Sequence, residues 1–316
     1  MKTISFAIPC YRSENTISYV IQEIKEVIRQ SDRYDYEIVC VVDGSPDNVY
    51  DTLCSLANDD SKIKVINLSK NFGQANAKMA ALRFSTGDII VSLDDDGQCP
   101  MDRLLDLLAP LENGYDISMA DYPVKKQSLF KNLGSDFNKA TARLILDVPK
   151  DFRSSNFYAI KKYVRNQMIK YNNPYPYADG LMSQVTHRIA YVPMEERNRM
   201  AGGTGYTFRK LVALWLNGFT AYSVVPLRIS SITGVVCAIL GFVFGIVTIV
   251  RRITVPDISM GWSSIVSLIL FIGGLMMMML GMIGEYIGRI YISINNAPQY
   301  VVRSTVNISG DELGEI

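Results

Sequence analysis

"IIVSLDDDGQCP" occupies Ile89 to Pro100, and its reading decides the fold. A mostly apolar run from Ile89 to Leu93 gives way to three adjacent carboxylates, Asp94, Asp95 and Asp96. A buried β-strand accounts for the first half. Like charges side by side at its tip repel one another unless water or a cation lies among them. Asp94 and Asp96 are two positions apart, so on an extended strand both side chains leave the same face. Carboxylate oxygens in such sparse number suit Mg2+ or Mn2+ that brings phosphate oxygens as its remaining ligands.

Outward from this stretch, apolar strand-like runs alternate with helical ones. "TISFAIPCY" reads as a first strand ending at Pro9, rather than as an export leader. "NTISYVIQEIKEVIRQS" places Ile17, Val20, Ile21, Ile24, Val27 and Ile28 at helical spacing. "YEIVCVVDGS" is a strand that turns at Asp43 and Gly44, and "IKVINLS" is another. "DNVYDTLCSLAND" and the Ala-rich "GQANAKMAALRFS" are the helices between them. "MDRLLDLLAPLENG" and "SLFKNLGSDFNKATARLIL" predict helices further on, and "YDISMADY", "DFRSSNFYAI" and "HRIAYVPMEERN" contain strands. The alternation predicts an α/β domain with a mostly parallel sheet covered on both faces. Ligands of such sheets bind beyond the carboxyl ends of the strands. Tyr11, Asp43, Asn71 and the Asp94–Asp96 group each follow a predicted strand, so they are expected to share one cleft. No G-x-G-x-x-G follows the first strand and no G-x-x-x-x-G-K-S/T occurs, so the sequence supports neither a Rossmann dinucleotide site nor a P-loop.

The 316 residues carry a formal charge of +1, which gives no reason to expect a nucleic-acid partner. The five cysteines lack paired metal-binding spacing and fit buried thiols in a reducing compartment. The single histidine, His187, argues against a His-rich metal centre and against Ser-His or Cys-His nucleophiles.

Two later stretches, about 229–250 and 262–284, are uncharged and long enough to cross about 30 Å of hydrocarbon as helices. They predict a two-helix transmembrane hairpin over 229–288. The preceding segment 206–228, with Trp215, Phe219 and Tyr222 beside Arg209 and Lys210, predicts an interfacial helix. The expected organisation is therefore a catalytic domain over 1–205, the interfacial segment, the hairpin, and a C-terminal tail over 289–316. Arg209, Lys210, Arg228 and Arg289 favour a cytoplasmic catalytic domain, although Arg251 and Arg252 in the linker oppose that orientation. The expected location is a multi-pass protein of the bacterial cytoplasmic membrane.

Arg153, Arg197, Arg199, Arg209 and Lys210 supply cations, some of them around the glycine-rich "AGGTGYT". Arginine takes phosphate oxygens in bidentate fashion. Basic groups beside membrane spans also bind anionic lipid.

These stretches together carry a family resemblance. "IPCYRSENTI", "VVDGSPDNV", "LSKNFGQANAKMAALRFSTGDIIVSLDDDGQCP", "DFRSSNFYAI", "ERNRMAGGTGYTFRKL" and "YSVVPLRI", followed by the apolar pair, resemble family 2 glycosyltransferases of the GT-A fold. Within that family they resemble the polyisoprenyl-phosphate glycosyltransferases, related to dolichol-phosphate mannose synthase and bactoprenol glucosyltransferase. The resemblance implies a nucleotide-sugar donor, a UDP-sugar first among them. It implies polyprenyl phosphate, such as undecaprenyl phosphate, as acceptor in the membrane, with inversion at the anomeric carbon. It also implies a homo-oligomer, commonly a tetramer. Residue by residue, it sets Pro9, Tyr11 and Asp43 around the base, Asp94 near ribose and diphosphate, Asp96 on Mg2+ or Mn2+, and Gln98 along the sugar. Arg153, Arg197, Arg209 and Lys210 become candidates for the acceptor phosphate. The catalytic candidates are Asp94, Asp96, Gln98 and Arg153. Two rival functions keep the same donor site: transfer to a saccharide or lipid-linked glycan, and a sugar-nucleotide-binding subunit without catalysis.

Overall fold

The computed structural model describes residues 1–122, 152–174, 176–197, 261–294 and 298–309, with short runs and single residues between 232 and 254. The chain divides into two compact units. The first comprises Met1–Asp136, Asp147–Tyr206 and Asn296–Ile316; the second comprises Phe137–Leu146 and Thr207–Asn295.

The first unit is built on an eight-stranded sheet. In chain order its described elements are β1 (Lys2–Cys10), α1 (Ile17–Ser31), β2 (Tyr34–Val42), α2 (Val49–Asp59), β3 (Ile63–Leu68), α3 (Gln74–Phe84) and β4 (Ile89–Ser92). A 3-10 turn (Met101–Arg103) leads into α4 (Leu104–Glu112) and β5 (Ile117–Asp121). Then come β6 (Tyr158–Lys161), α5 (Lys162–Met168), α6 (Ala178–Val185) and β7 (Ile189–Pro193), and finally β8 (Val302–Val306). The strand order is β7-β5-β6-β4-β1-β2-β3-β8.

Alternation along the strands sorts side chains into two cores. Ile4, Phe6, Ile8 and Cys10 of β1 join Ile38, Cys40 and Val42 of β2 on the face covered by α1, α2 and α4. That face receives the Ile17, Val20, Ile21, Ile24 and Ile28 stripe of α1. Each such side chain, fully buried, stabilises the fold by about 1.5–3 kcal/mol. Ala7, Val39 and Val41 point to the other face, against Ala77, Ala80 and Ala81 of α3. Small residues on both surfaces let α3 lie close to the sheet, which explains its Ala-rich sequence.

The sheet is mixed, which corrects the expectation of a mostly parallel one. β1 pairs in parallel with β2 and β4, β2 with β3, and β5 with β7. β6 runs antiparallel between β4 and β5, and β8 runs antiparallel along β3. An apolar run encodes burial and not direction, so a strand arriving after a long connection can enter either way. β8 comes from the expected C-terminal tail. It is anchored by Tyr50 Oη to Ser304 Oγ at 2.9 Å and by Asn307 Nδ2 to the Ala57 carbonyl at 2.7 Å.

The second unit contains α7 (Trp262–Ile294), a helix of 33 residues. Its Phe271–Gly288 stretch makes it long and apolar enough to cross a membrane, by length and composition. Among the described residues it alone meets that test, which corrects both the two-helix transmembrane hairpin and the multi-pass location. Of the other expected span, the described residues are the helical run 232–237 and, after it, the helical pair 246–247 and single helical positions. α7 also continues ten residues beyond 284, through Glu285 and Arg289, because charge ends an apolar run without ending a helix. The expected interfacial segment 206–228 and the helix expected within 128–146 lie outside the described residues.

Candidate active site

The carboxyl ends of β1, β2 and β4 carry the candidate site. β4 stops at Ser92, and the chain turns through the three carboxylates to Gly97, whose φ is 75°. The carboxylates have different fates. Asp94 accepts a hydrogen bond on Oδ1 from Gln74 Nε2 at 2.9 Å and on Oδ2 from Asn156 Nδ2 at 2.8 Å. The Lys78 ammonium lies 3.7 Å from its Oδ1. Asp95 turns the other way, where its Oδ2 takes the Tyr11 N–H at 2.9 Å and its carbonyl takes the Thr16 hydroxyl at 2.7 Å. Burial pushes the Asp95 carboxyl up to about 6, with the Asp94 charge adding and the Tyr11 N–H opposing. Asp96 is half-buried, and its Oδ1 accepts the Gln98 N–H at 3.1 Å.

The neighbouring loops are tied to this turn. Pro9 is buried inside β1. Tyr11 follows it, 44 % exposed, with the Arg12 guanidinium 5.5 Å from its ring centre. Arg12 N–H donates to Ser45 Oγ at 2.8 Å, and Asn48 N–H to Glu14 Oε2 at 2.9 Å, so the loops after β1 and β2 brace each other. Asp43 is buried, and its carboxylate accepts the Phe72 N–H at 2.6 Å and the Gly73 N–H at 2.8 Å at the start of α3. Burial raises its pKa against those two bonds. Next to it, Gly44 has a φ of 55°, and a Cβ there would sit 2.3 Å from the Lys70 carbonyl carbon. Only glycine fits that approach.

Arg197 reaches the site through its backbone. Its N–H donates to the Gln98 carbonyl at 3.1 Å, and its carbonyl accepts Gln98 Nε2 at 3.2 Å. Its guanidinium pairs with Glu23 at 2.7 Å and also with Asp102. Arg153 pairs with Asp121 at the end of β5, and its N–H donates to Tyr191 Oη at 3.1 Å. Asp102, Asp121 and Arg197 together line a cleft of ≈ 600 Å³ beside Pro100. Each arginine thus carries a carboxylate counter-ion where an anionic ligand would have to exchange with it. Arg199, Arg209 and Lys210 lie outside the described residues.

The structure therefore brings Tyr11, Asp94–Asp96, Gln98 and Arg197 into one bonded set, with Asp43 joined to it through the start of α3. Three members escaped the sequence reading: Gln74, Lys78 and Asn156. Gln74 and Lys78 are four positions apart on an Ala-rich helix, a polar pair on an otherwise apolar face, and that signal was available. Asn156 carries none, because only tertiary contact with Asp94 distinguishes it.

Among the described residues, no group of three or more His, Cys, Asp or Glu is placed to hold a metal. The donor set instead fits a divalent cation that arrives with phosphate oxygens. Asp96 and Asp94 supply the carboxylate oxygens of that set, the first bonded by the Gln98 N–H and the second by Gln74 and Asn156.

Residues 5–180 match the model of glycosyl transferase family 2, and residues 225–290 match that of the GtrB C-terminal hairpin. The chain is 30% identical over 318 residues to "Uncharacterized glycosyltransferase YkcC" of Bacillus subtilis (strain 168), covering 98% of this chain and 96% of that one. It is 28% identical over 313 residues to the "Undecaprenyl-phosphate 4-deoxy-4-formamido-L-arabinose transferase" of Proteus mirabilis (strain HI4320), covering 96% and 94%. Among solved structures, glucosyl-3-phosphoglycerate synthase from Mycobacterium tuberculosis with Mn2+, UDP and phosphoglyceric acid superposes with a TM-score of 0.53. That match has 19% identity and covers 69% of this chain and 76% of that one, a likeness of fold. A family model spanning more than half the chain, full-length relatives and a GT-A-like sheet ending in the acidic turn agree: the chain belongs to glycosyl transferase family 2.

Proposed function

We propose that this glycosyltransferase moves a sugar from a nucleotide-sugar, a UDP-hexose first among candidates, to a polyprenyl phosphate such as undecaprenyl phosphate. The observation that carries the reading is the turn after β4, where Gln74 and Asn156 hold the Asp94 carboxylate and the Gln98 N–H bonds that of Asp96. Relatives named as undecaprenyl-phosphate transferases over nearly the full chain support the acceptor, as does the GtrB-type C-terminal match. A solved fold neighbour that holds Mn2+ and UDP-glucose supports the donor.

Pro9, Tyr11 and Asp43 would shape the base subsite. Tyr11 offers an exposed ring for stacking, and Asp43 fixes the loop at α3. Asp94 would meet the ribose and diphosphate, and Gln98 the sugar. Asp96 would hold Mg2+ or Mn2+, which supplies charge neutralisation to the departing diphosphate. An acceptor phosphate oxygen attacks the anomeric carbon from the side opposite the diphosphate. The bond from that carbon to the diphosphate oxygen breaks, its electron pair leaves with the nucleoside diphosphate, and the centre inverts. A phosphate monoester is already anionic near neutral pH, so it needs orientation more than a general base. Arg153 and Arg197, exchanging Asp121 and Asp102 for phosphate, would orient it.

The test is a transfer assay on the full chain in detergent, with undecaprenyl phosphate, Mn2+ or Mg2+ and labelled UDP-, GDP- and TDP-sugars. Lipid-extractable label that disappears with chelator and in Asp96→Ala is the expected result. Label that reaches only a saccharide acceptor, or nucleotide-sugar bound without transfer, contradicts it.

A further inference from the structure

Lys78 is a lysine buried in the second turn of α3, 8 % exposed. A buried ammonium is costly unless it is paired and hydrogen-bonded. Here the Nζ donates to Asn156 Oδ1 at 3.0 Å and lies 3.7 Å from Asp94 Oδ1. Because Asn156 Oδ1 takes the lysine, its Nδ2 faces Asp94 Oδ2, at 2.8 Å. The ammonium thereby fixes the orientation of the amide as well as the charge beside the carboxylate. Its field also reaches Asp179 at the start of α6, a buried carboxyl whose pKa burial raises and the Ser154 bond and Lys78 charge lower. No lysine in this position follows from helix amphipathicity, since its helix neighbours Ala77, Met79, Ala80 and Ala81 are all buried.

The turn it faces has an electrostatic difficulty. Adjacent carboxylates repel an incoming diphosphate, and one divalent ion cannot neutralise both the turn and the ligand. We propose that Lys78 is the built-in counter-charge of the donor site: it holds Asn156 and Asp94 in place, keeps Asp94 out of the metal's coordination, and lowers the negative potential a nucleoside diphosphate meets. Lys78 is a positioning residue here, acting through Asp94 and Asn156, and the inference rests on the donor-site reading above.

The test uses the full chain in detergent with two readouts. Mn2+ binding without nucleotide is read by electron paramagnetic resonance, and UDP binding at saturating Mn2+ by calorimetry. In Lys78→Met the two constants move in opposite directions. The uncompensated carboxylate draws Mn2+ at least about threefold tighter, while UDP binds about tenfold more weakly for loss of a charged hydrogen-bond partner. Lys78→Arg keeps the charge and restores both constants to within about threefold of wild type. Lys78→Gln, neutral and polar, carries the same test where the methionine variant fails to fold. A merely structural lysine would weaken both constants together or change neither, and either result overturns the proposal. The Mn2+ arm needs no nucleotide, so it judges the counter-charge even where wild-type protein transfers no sugar, a result that would sink the function reading alone.

Discussion

Two carboxylate–lysine clusters, one within the sheet and one at its carboxyl edge, serve opposite ends. Glu37 of β2 pairs with Lys64 at 3.0 Å and accepts bonds from Ser5 Oγ, the Thr86 N–H, the Thr86 hydroxyl and the Gly87 N–H. Both side chains are nearly closed off, at 9% and 11% exposure. Asp94 at the tip of β4 has Lys78, Gln74 and Asn156 around it, but its side chain stays 21% exposed. The ingredients are alike and the access differs. Around Glu37 the donors come from β1 and from the turn before β4, so the cluster staples the sheet. Around Asp94 they come from a helix and from the segment before β6, and one side opens to ligand. Sealed, a charged cluster specifies packing; half-open, it holds a carboxylate in a fixed pose for something not yet bound.

Removing one partner from the sealed cluster should cost the most. Glu37→Ala removes a buried ion-pair carboxylate from Lys64 and the acceptor of the Ser5, Thr86 and Gly87 bonds, and is expected to destabilise the chain by about 3–5 kcal/mol. In a thermal melt that lowers the Tm by about 10 °C; a shift within about 2 °C would break the comparison.

Asp94→Asn should sharpen it from the other side. The amide leaves Lys78 without its carboxylate and accepts only one of the two bonds from Gln74 and Asn156, so the melt should fall, but by less than in Glu37→Ala because the cluster is open to water, while sugar transfer falls about a hundredfold through lost charge and pose. Equal losses of Tm in the two variants would mean that both clusters are structural.

The pH dependence supplies a smaller effect. Burial alone would raise the Glu37 pKa, but the Ser5, Thr86 and Lys64 interactions overcome it and the net shift is downward. A carboxyl held low in the folded state contributes stability that is present above its unfolded value of about 4.3 and lost as pH falls through the folded value. Denaturant melts between pH 7 and 3 should show that loss, and Glu37→Gln should flatten it.

The smallest expected change is in Arg197→Lys. It keeps one ion pair of two and leaves the backbone bonds to Gln98 intact, so the melt should shift by less than about 1 kcal/mol. Transfer should show the loss as a raised KM for the acceptor if this side chain exchanges carboxylate for phosphate.

The sequence made one half of this arrangement readable. The near-continuous apolar runs in "TISFAIPC" and "YEIVCVV", buried on both faces, and the helical spacing in "ISYVIQEIKEVI" encode what is apolar, and the strands and helices follow. The acidic turn was readable because charge that abruptly ends an apolar run has few structural explanations. Strand direction was not: "NFYAI" looks the same entering a sheet parallel or antiparallel, and β6 enters antiparallel. β8 was missed because "VRSTV" is short, half polar and at an edge, where burial leaves little imprint. Asn156 is visible as a site residue only through a contact with Asp94 across 62 positions of chain.

The central claim is that the turn after β4 divides its labour, with Asp94 held by protein and Asp96 given to the metal. A crystal of the full chain grown with UDP and Mn2+, with data collected at the manganese absorption edge, tests it most directly. The account predicts an anomalous peak within coordination distance of Asp96 and the diphosphate, with Gln74, Asn156 and Lys78 still on Asp94. A manganese ion coordinated by Asp94, with Lys78 displaced from it, would contradict the account.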